Sequence, residues 1–256
     1  MAESFTFGDV AVTLDDDLVA TVEIRRPPNN FFDATVVGSL ADAYGALADR
    51  TPCRAIILCS EGKHFCAGAD FGGESAGGGA ELYAQAARLF AGTLPVVAAV
   101  QGAAVGGGLG LCCSADFRVA SPEARFSANF AQLGFHHGFA LSVTLPAIVG
   151  QQHALELLYT GRRIAGAEGF AIGLCDRLVE ADELRAEAHR LAAEIASSAP
   201  LAVRSIRATM RADVVDRVVT AMDREGREQD RLRQTTDWNE GVEAMAERRR
   251  PRFEGR

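Results

Sequence analysis

An α/β fold organised around a buried, largely parallel sheet is predicted by three features of the chain. Two apolar runs, Ala55-Ile56-Ile57-Leu58-Cys59 and Pro95-Val96-Val97-Ala98-Ala99-Val100, have the length and unbroken hydrophobicity of strands covered on both faces. Each run then loses its side chains in a small-residue turn, Lys63-His64-Phe65-Cys66-Ala67-Gly68-Ala69-Asp70 after the first and Val100-Gln101-Gly102-Ala103-Ala104-Val105-Gly106-Gly107-Gly108-Leu109-Gly110 around the end of the second. Strands alternate with helical patterns up to about residue 182, and the rest reads as amphipathic helix.

The elements follow in order. Residues 9–24 alternate around Asp15-Asp16-Asp17 and predict a β-hairpin with a solvated acidic turn. Arg25-Arg26-Pro27-Pro28-Asn29-Asn30 cannot extend the strand, and Asp33 is placed to cap a helix from about Ala34 to Asp49. A strand over 54–60 leads to the first turn. The glycine-rich stretch from Phe71 to Gly79 then reads as a mobile lip over a pocket, before a helix near Glu81–Ala91. A strand over 95–100, the second turn, a helix over about Gly107–Ser114 and a short strand Phe117–Ala120 come next. Residues 125–150 show no clear period and carry the adjacent pair His136-His137. Helices are expected over Glu183–Ser197 and Leu201–Arg224, with two shorter segments to Arg248.

A chain of 256 residues, 48% of them hydrophobic, can bury a full core, and two independent domains would be cramped in it. The formal net charge of −8 argues against a nucleic-acid binder, whose affinity comes largely from neutralising phosphates. Six cysteines occur without a CxxC pair and mostly inside apolar runs, as expected of small core residues in a reducing, cytoplasmic compartment. Five histidines lack HExxH or mixed Cys/His spacing, so no metal site is expected. The N-terminus lacks the basic and apolar regions of a secretion signal, and no run reaches the ~18 apolar residues of a membrane span, so no membrane association is expected. Lys63 is the only lysine.

The small-residue turns carry the functional signal. A backbone without bulky side chains lets a ligand approach main-chain N–H groups, and a helix that starts there adds unpaired donors suited to an oxyanion. Either turn alone could equally be kept small for packing. Together, Phe65-Cys66-Ala67-Gly68-Ala69-Asp70 and Gly102-Ala103-Ala104-Val105-Gly106-Gly107-Gly108 resemble the crotonase (enoyl-CoA hydratase/isomerase) superfamily. The likeness continues through Leu158-Tyr159-Thr160-Gly161-Arg162-Arg163-Ile164 and Ala171-Ile172-Gly173-Leu174-Cys175-Asp176-Arg177-Leu178-Val179 to Phe253-Glu254-Gly255, nearly the whole chain. The resemblance implies a spiral of ββα units over 1–182 and a C-terminal helical trimerisation region over 183–256. It also implies a homotrimer or dimer of trimers, and an acyl-CoA substrate whose coenzyme A is part of the thioester rather than a bound cofactor.

Carried over residue by residue, the resemblance places a thioester carbonyl at the backbone N–H groups of Ala69 and Gly107, where fixed donors favour the charged enolate or tetrahedral state. Arg25, Lys63, Ala67, Ala69 and Asp70 are the implied coenzyme A contacts; Arg25 or Arg26 could meet a phosphate or remain a surface arginine, and Arg248-Arg249-Arg250 could do either as well. The acid/base positions depart from the family. Where hydratases carry two glutamates this chain has Gly110 and Phe130, and where dienoyl isomerases and dehalogenases carry an aspartate it has Gly138. His136 and His137 lie in the same segment and titrate near neutrality in their ordinary state, so they are the replacement candidates; Asp70, Glu74 and Glu81 are lesser ones. Three readings follow: a thioester enzyme that is not a standard hydratase, a hydratase with displaced acid/base groups, or a non-catalytic CoA-ester binder. Phe130, Phe135 and Phe139 point to an apolar acyl pocket.

Overall fold

The computed structural model describes residues 3–69 and 79–256; the expected lip at 71–78, with Asp70 and Glu74, lies outside the described residues. Strands β1 (Glu3–Phe7), β2 (Val10–Leu14) and β3 (Val19–Ile24) form an antiparallel meander, and helix α1 spans Ala34–Arg50. The expected hairpin is β2–β3, and the cap is as expected: Asp33 accepts the Val36 N–H at 2.9 Å. β4 (Ala55–Ser60), α2 (Ala80–Phe90), β5 (Val96–Val100), β6 (Ala103–Val105), α3 (Gly107–Ser114), β7 (Phe117–Ala120) and β8 (Arg125–Ser127) follow. A 3-10 turn at Ala131–Leu133 precedes α4 (Leu141–Thr160), β9 (Arg163–Ala165), α5 (Gly166–Ala171) and β10 (Arg177–Leu178). The chain closes with α6 (Leu184–Ala196), α7 (Pro200–Met210), α8 (Val214–Leu232) and α9 (Thr236–Ala246).

The main sheet runs β1-β2-β3-β4-β5-β7-β10 and is parallel from β3 onward; a second sheet runs β6-β8-β9. Period-two alternation sorts the central strands between two layers. Ile56 and Leu58 face α1, α2 and α3, whereas Ala55, Ile57 and Cys59 face Leu184, Ala188 and Leu191 of α6. Both faces of β4 are buried, which is why its sequence shows no polar alternation. All six cysteines are free and buried, and burial pushes the thiols of Cys59 and Cys66 up to about 12. No helix among the described residues is long and apolar enough to cross a membrane.

Three expectations are corrected. β6 and β8 were hidden in stretches of small or mixed residues, because each is three residues long and gains its partners only through tertiary pairing. The unperiodic region 125–150 holds β8, the 3-10 turn and the first half of α4, a helix that carries Pro146 and a non-helical Gly150 and so lacks a clean stripe. The single helix expected over 201–224 is two, α7 and α8, broken at 211–213; α8 continues to Leu232 and one helix, not two, follows it. The break sits where Asp116 grips α7. Its carboxylate accepts from Arg207 Nε at 2.8 Å and Arg211 Nη1 at 2.9 Å while also taking the Val96 N–H at 2.9 Å.

No residue of α7 is buried, so this charge cluster, with the Arg207 bond to the Gly92 carbonyl, is what holds the helix to the sheet. Removing one member of a largely dehydrated pair leaves the other charges uncompensated. Asp116→Ala should therefore lower unfolding stability by roughly 3 kcal/mol in chemical denaturation. Hydrogen exchange should rise over 200–210 first, and equal loosening of α1 would show the cluster to be no local anchor.

Candidate active site

The strand ends β4 and β5 bring the two turns into one interlocked backbone. Phe65 N–H donates to the Gln101 carbonyl at 2.8 Å, Cys66 N–H to that of Ala103 at 2.9 Å, and Val105 N–H to that of Cys66 at 3.0 Å. Side chains tie the same ends: Asn30, fully buried, donates to the His64 carbonyl at 2.6 Å, and His64 Nδ1 accepts the Ala103 N–H at 3.2 Å. Two glycines are required by this approach. A Cβ on Gly108 would collide with the Cys66 carbonyl, and Gly68, at φ +95°, has room for none, since it would lie 2.9 Å from the Val105 carbonyl.

This interlock consumes several amide donors and leaves others without an acceptor among the described residues. Ala67 N–H goes to the Asn29 carbonyl and Gly106 N–H to that of Ser127, but those of Ala69 and Gly107 meet no acceptor among the described residues. Both residues are half-buried and line one cavity of about 440 Å³. Gly107 is the first residue of α3, so its free N–H is one of the helix's unpaired terminal donors. Aromatic rings form part of the remaining wall: Phe32, Phe130, Phe135 and Phe139 all line it, and Phe32 and Phe139 meet at a ring separation of 5.2 Å. The phenylalanines from which an apolar pocket was expected thus line a physical cavity.

At positions where the resemblance implies carboxylates, the space is taken by other groups. A Cβ on Gly110 would stand 2.6 Å from Phe139 Cβ, so no side chain fits there while Phe139 keeps its place. Phe139 and Ala140 hold left-handed backbone (φ 56° and 60°), which costs energy in residues with a side chain. Glu225 compensates by accepting the N–H of Ala140 at 2.9 Å and of Ser142 at 3.0 Å, at the start of α4. At Gly138 a Cβ would strike the Tyr83 hydroxyl and lie 2.5 Å from Gln229 Nε2. There the wall carries a hydrogen-bonded pair, Tyr83 donating to Gln229 Oε1 at 2.9 Å.

The histidines expected as acid/base groups are placed outside the lining of this cavity. Neither His136 nor His137 lines it; His136 borders a separate surface cleft with Asp216, Asp223 and Arg224. His136 Nδ1 lies 2.7 Å from the His137 carbonyl, and His137 Nε2 lies 2.8 Å from Ser142 Oγ. The left-handed turn at Phe139 presents the phenyl ring to the cavity and carries the preceding imidazoles to the other side. Among the described residues no carboxylate or imidazole lines the cavity; its charged groups are Arg163 and Arg233.

The implied coenzyme A contacts are scattered. Ala67 and Ala69 line the cavity, Lys63 lines a second cleft with Arg125 and Arg185, and Arg25 lines neither and pairs with Glu23 at 2.9 Å. Arg26 is held by Asp9 and Asp33, and Arg249 by Glu240, Glu243 and Glu247, so these cations already have partners. Glu81 is exposed in the first turn of α2 and does not line the cavity. Tyr83, Gln229 and Arg233 were missed by sequence reasoning. Gln229 did leave a signal, since it continues the Val218, Met222, Glu225 stripe of α8 as a polar residue where an apolar one is expected.

A parallel sheet whose strand ends expose amide donors over a cavity has the arrangement by which main chain can hold a carbonyl oxygen. The family model for enoyl-CoA hydratase/isomerase matches residues 15–256, and the chain belongs to that family. It is 34% identical over 249 residues to a crotonyl-CoA hydratase of Syntrophomonas wolfei, covering 93% of this chain and 95% of the relative. A cyclohexa-1,5-dienecarbonyl-CoA hydratase of Thauera aromatica is 32% identical, with 94% and 95% covered. The crystal structure of an enoyl-CoA hydratase/isomerase from Pseudoalteromonas atlantica superposes with a TM-score of 0.87 at 31% identity, over 96% of this chain and all of that one.

The His137 environment sets a pH dependence. Burial, and then the neighbouring His136, push its pKa from 6.5 down to about 4, so the folded protein holds it neutral. The unfolded chain binds that proton at higher pH, so the contribution is present above pH 6.5 and is lost as pH falls toward 4. Buried Glu225, raised by burial against its hydrogen bonds, acts in the opposite direction. The difference between wild type and His137→Gln isolates the histidine: the wild-type melting temperature should fall more steeply between pH 6.5 and 5. Parallel curves would refute the assignment.

Proposed function

We propose that the chain binds an acyl-CoA thioester with its carbonyl oxygen between the N–H groups of Ala69 and Gly107 and stabilises the enolate formed from it. The observation that carries this reading is the pair of amide donors without acceptors on the wall of the cavity. Negative charge grows on that oxygen as the α-proton leaves, and oriented amides in an apolar site stabilise it without reorganising. The absence of a carboxylate on the described wall, with Gly110 closed off by Phe139 and Phe130 buried, favours an isomerisation or another enolate reaction over water addition. Asp70 and Glu74 are the nearest carboxylates in sequence to Ala69 and are the proposed candidates for moving the proton.

Hydration is the second reading, favoured by the similarity to the Syntrophomonas and Thauera hydratases. A cytoplasmic homotrimer or dimer of trimers completes the proposal, supported by the exposed apolar side chains of α7, Leu201, Ile206 and Met210.

Replacing Gly107 by proline deletes one donor, and thioester turnover should fall by ~10²–10³ while circular dichroism shows the fold retained. Undiminished turnover would remove the amide from the mechanism. Crotonyl-CoA separates the two readings: hydration by wild type should trail the turnover of its preferred ester by ~10² or more, one acid/base group's worth, whereas brisk hydration would favour the second.

A further inference from the structure

The buried face of α8 changes character as it runs toward the cavity. Val218 and Met222 are apolar, but the next residues of the same stripe are Glu225, 1% exposed, and Gln229, 4% exposed, and the spacing continues to Arg233 just past the helix end. Polar side chains placed on a core-facing stripe need partners. Two of the three have them. Glu225 accepts the N–H groups of Ala140 and Ser142, and Gln229 is held at both ends, accepting from the Tyr83 hydroxyl and donating to the His136 carbonyl at 3.0 Å.

Arg233 is the exception. Its Nε is buried and has no hydrogen-bond partner among the described residues, and Nη1 reaches only the exposed Asp230, at 3.4 Å. The guanidinium carbon lies 5.1 Å from the centroid of the Phe135 ring, which orients its plane, and the side chain lines the cavity. It also stands apart from the oxyanion turns. Phe130, whose Cζ is 3.8 Å from where a Gly106 Cβ would be, stacks on Phe135 at 6.4 Å, and Arg233 lies on Phe135 in turn.

We infer that the acyl group taken by this cavity carries a carboxylate at the end remote from the thioester, and that the Arg233 guanidinium binds it. The inference rests on the thioester reading above and names its substrate class, a monothioester of a dicarboxylic acid. Planar guanidinium donors match a carboxylate, and no acidic side chain lines the described wall, the exposed Asp230 reaching Nη1 from outside it at 3.4 Å. The intervening phenyl rings suit the apolar middle of such a chain.

Calorimetric titration of the full-length protein with glutaryl-, adipyl- and suberyl-CoA, each against its methyl-ended counterpart pentanoyl-, hexanoyl- or octanoyl-CoA, tests this. At least one carboxyl-ended ester should bind about 10- to 100-fold more tightly than its counterpart. Arg233→Met should abolish that ratio and Arg233→Lys should retain part of it. The ratio is read within each protein, so a loss of stability does not imitate the effect. Equal binding within every pair by wild type, or an unchanged ratio in Arg233→Met, would overturn the inference and leave the thioester reading standing. Failure of wild type to bind any ester would instead overturn the thioester reading, and this inference with it.

Discussion

The whole site depends on a backbone interlock between the ends of two parallel strands. Cys66 donates to the Ala103 carbonyl and accepts the Val105 N–H across the gap, Gly68 and Gly108 let the chains approach within contact distance, and Asn30 and His64 brace the edges. Buried peptide groups must be paired, so the register of this interlock decides which few remain free. Ala69 and Gly107 are two of the donors left without an acceptor among the described residues. Their proposed use to an oxyanion rests on the rigidity of what surrounds them, since a donor free to turn would lose the advantage of preorganisation.

The opposite wall is built by a different compromise. Phe139 adopts an unfavourable left-handed conformation, and the carboxylate of Glu225 repays it by capping the start of α4 through Ala140 and Ser142. With Phe139 so placed there is no room beside Gly110, and with Gly138 bare there is room for the Tyr83–Gln229 pair. Gly110 and Gly138, two of the positions where the resemblance implies carboxylates, are thus closed by neighbouring side chains, Phe139 at the one and the Tyr83–Gln229 pair at the other. The cavity wall carries Arg233, whose Nε has no partner among the described residues.

The C-terminal helices contribute directly to this cavity. α8 packs on α2 and α4 and supplies Gln229, with Arg233 just beyond it, while α9 lies over the 3-10 turn, where Gly241 meets the Leu133 backbone. By contrast α6 covers the far face of the sheet. The segment expected from the family resemblance to serve assembly thus also closes the chain's own site.

What the sequence determined by itself was the set of elements with strong local causes. Asp33 capped α1, the unbroken apolar runs became β4 and β5, and the glycine-rich turns marked Ala69 and Gly107, because caps, periodicity and missing side chains act over a few residues. Tertiary structure decided the rest. The pairing of β6 with β8, the break at 211–213, the turning of His136 and His137 away from the cavity and the convergence of Tyr83, Gln229 and Arg233 depend on residues tens to more than a hundred positions apart. The sense of the Phe139 turn illustrates the reason: local preference disfavours it, and only Glu225, 85 residues beyond Ala140, makes it stable.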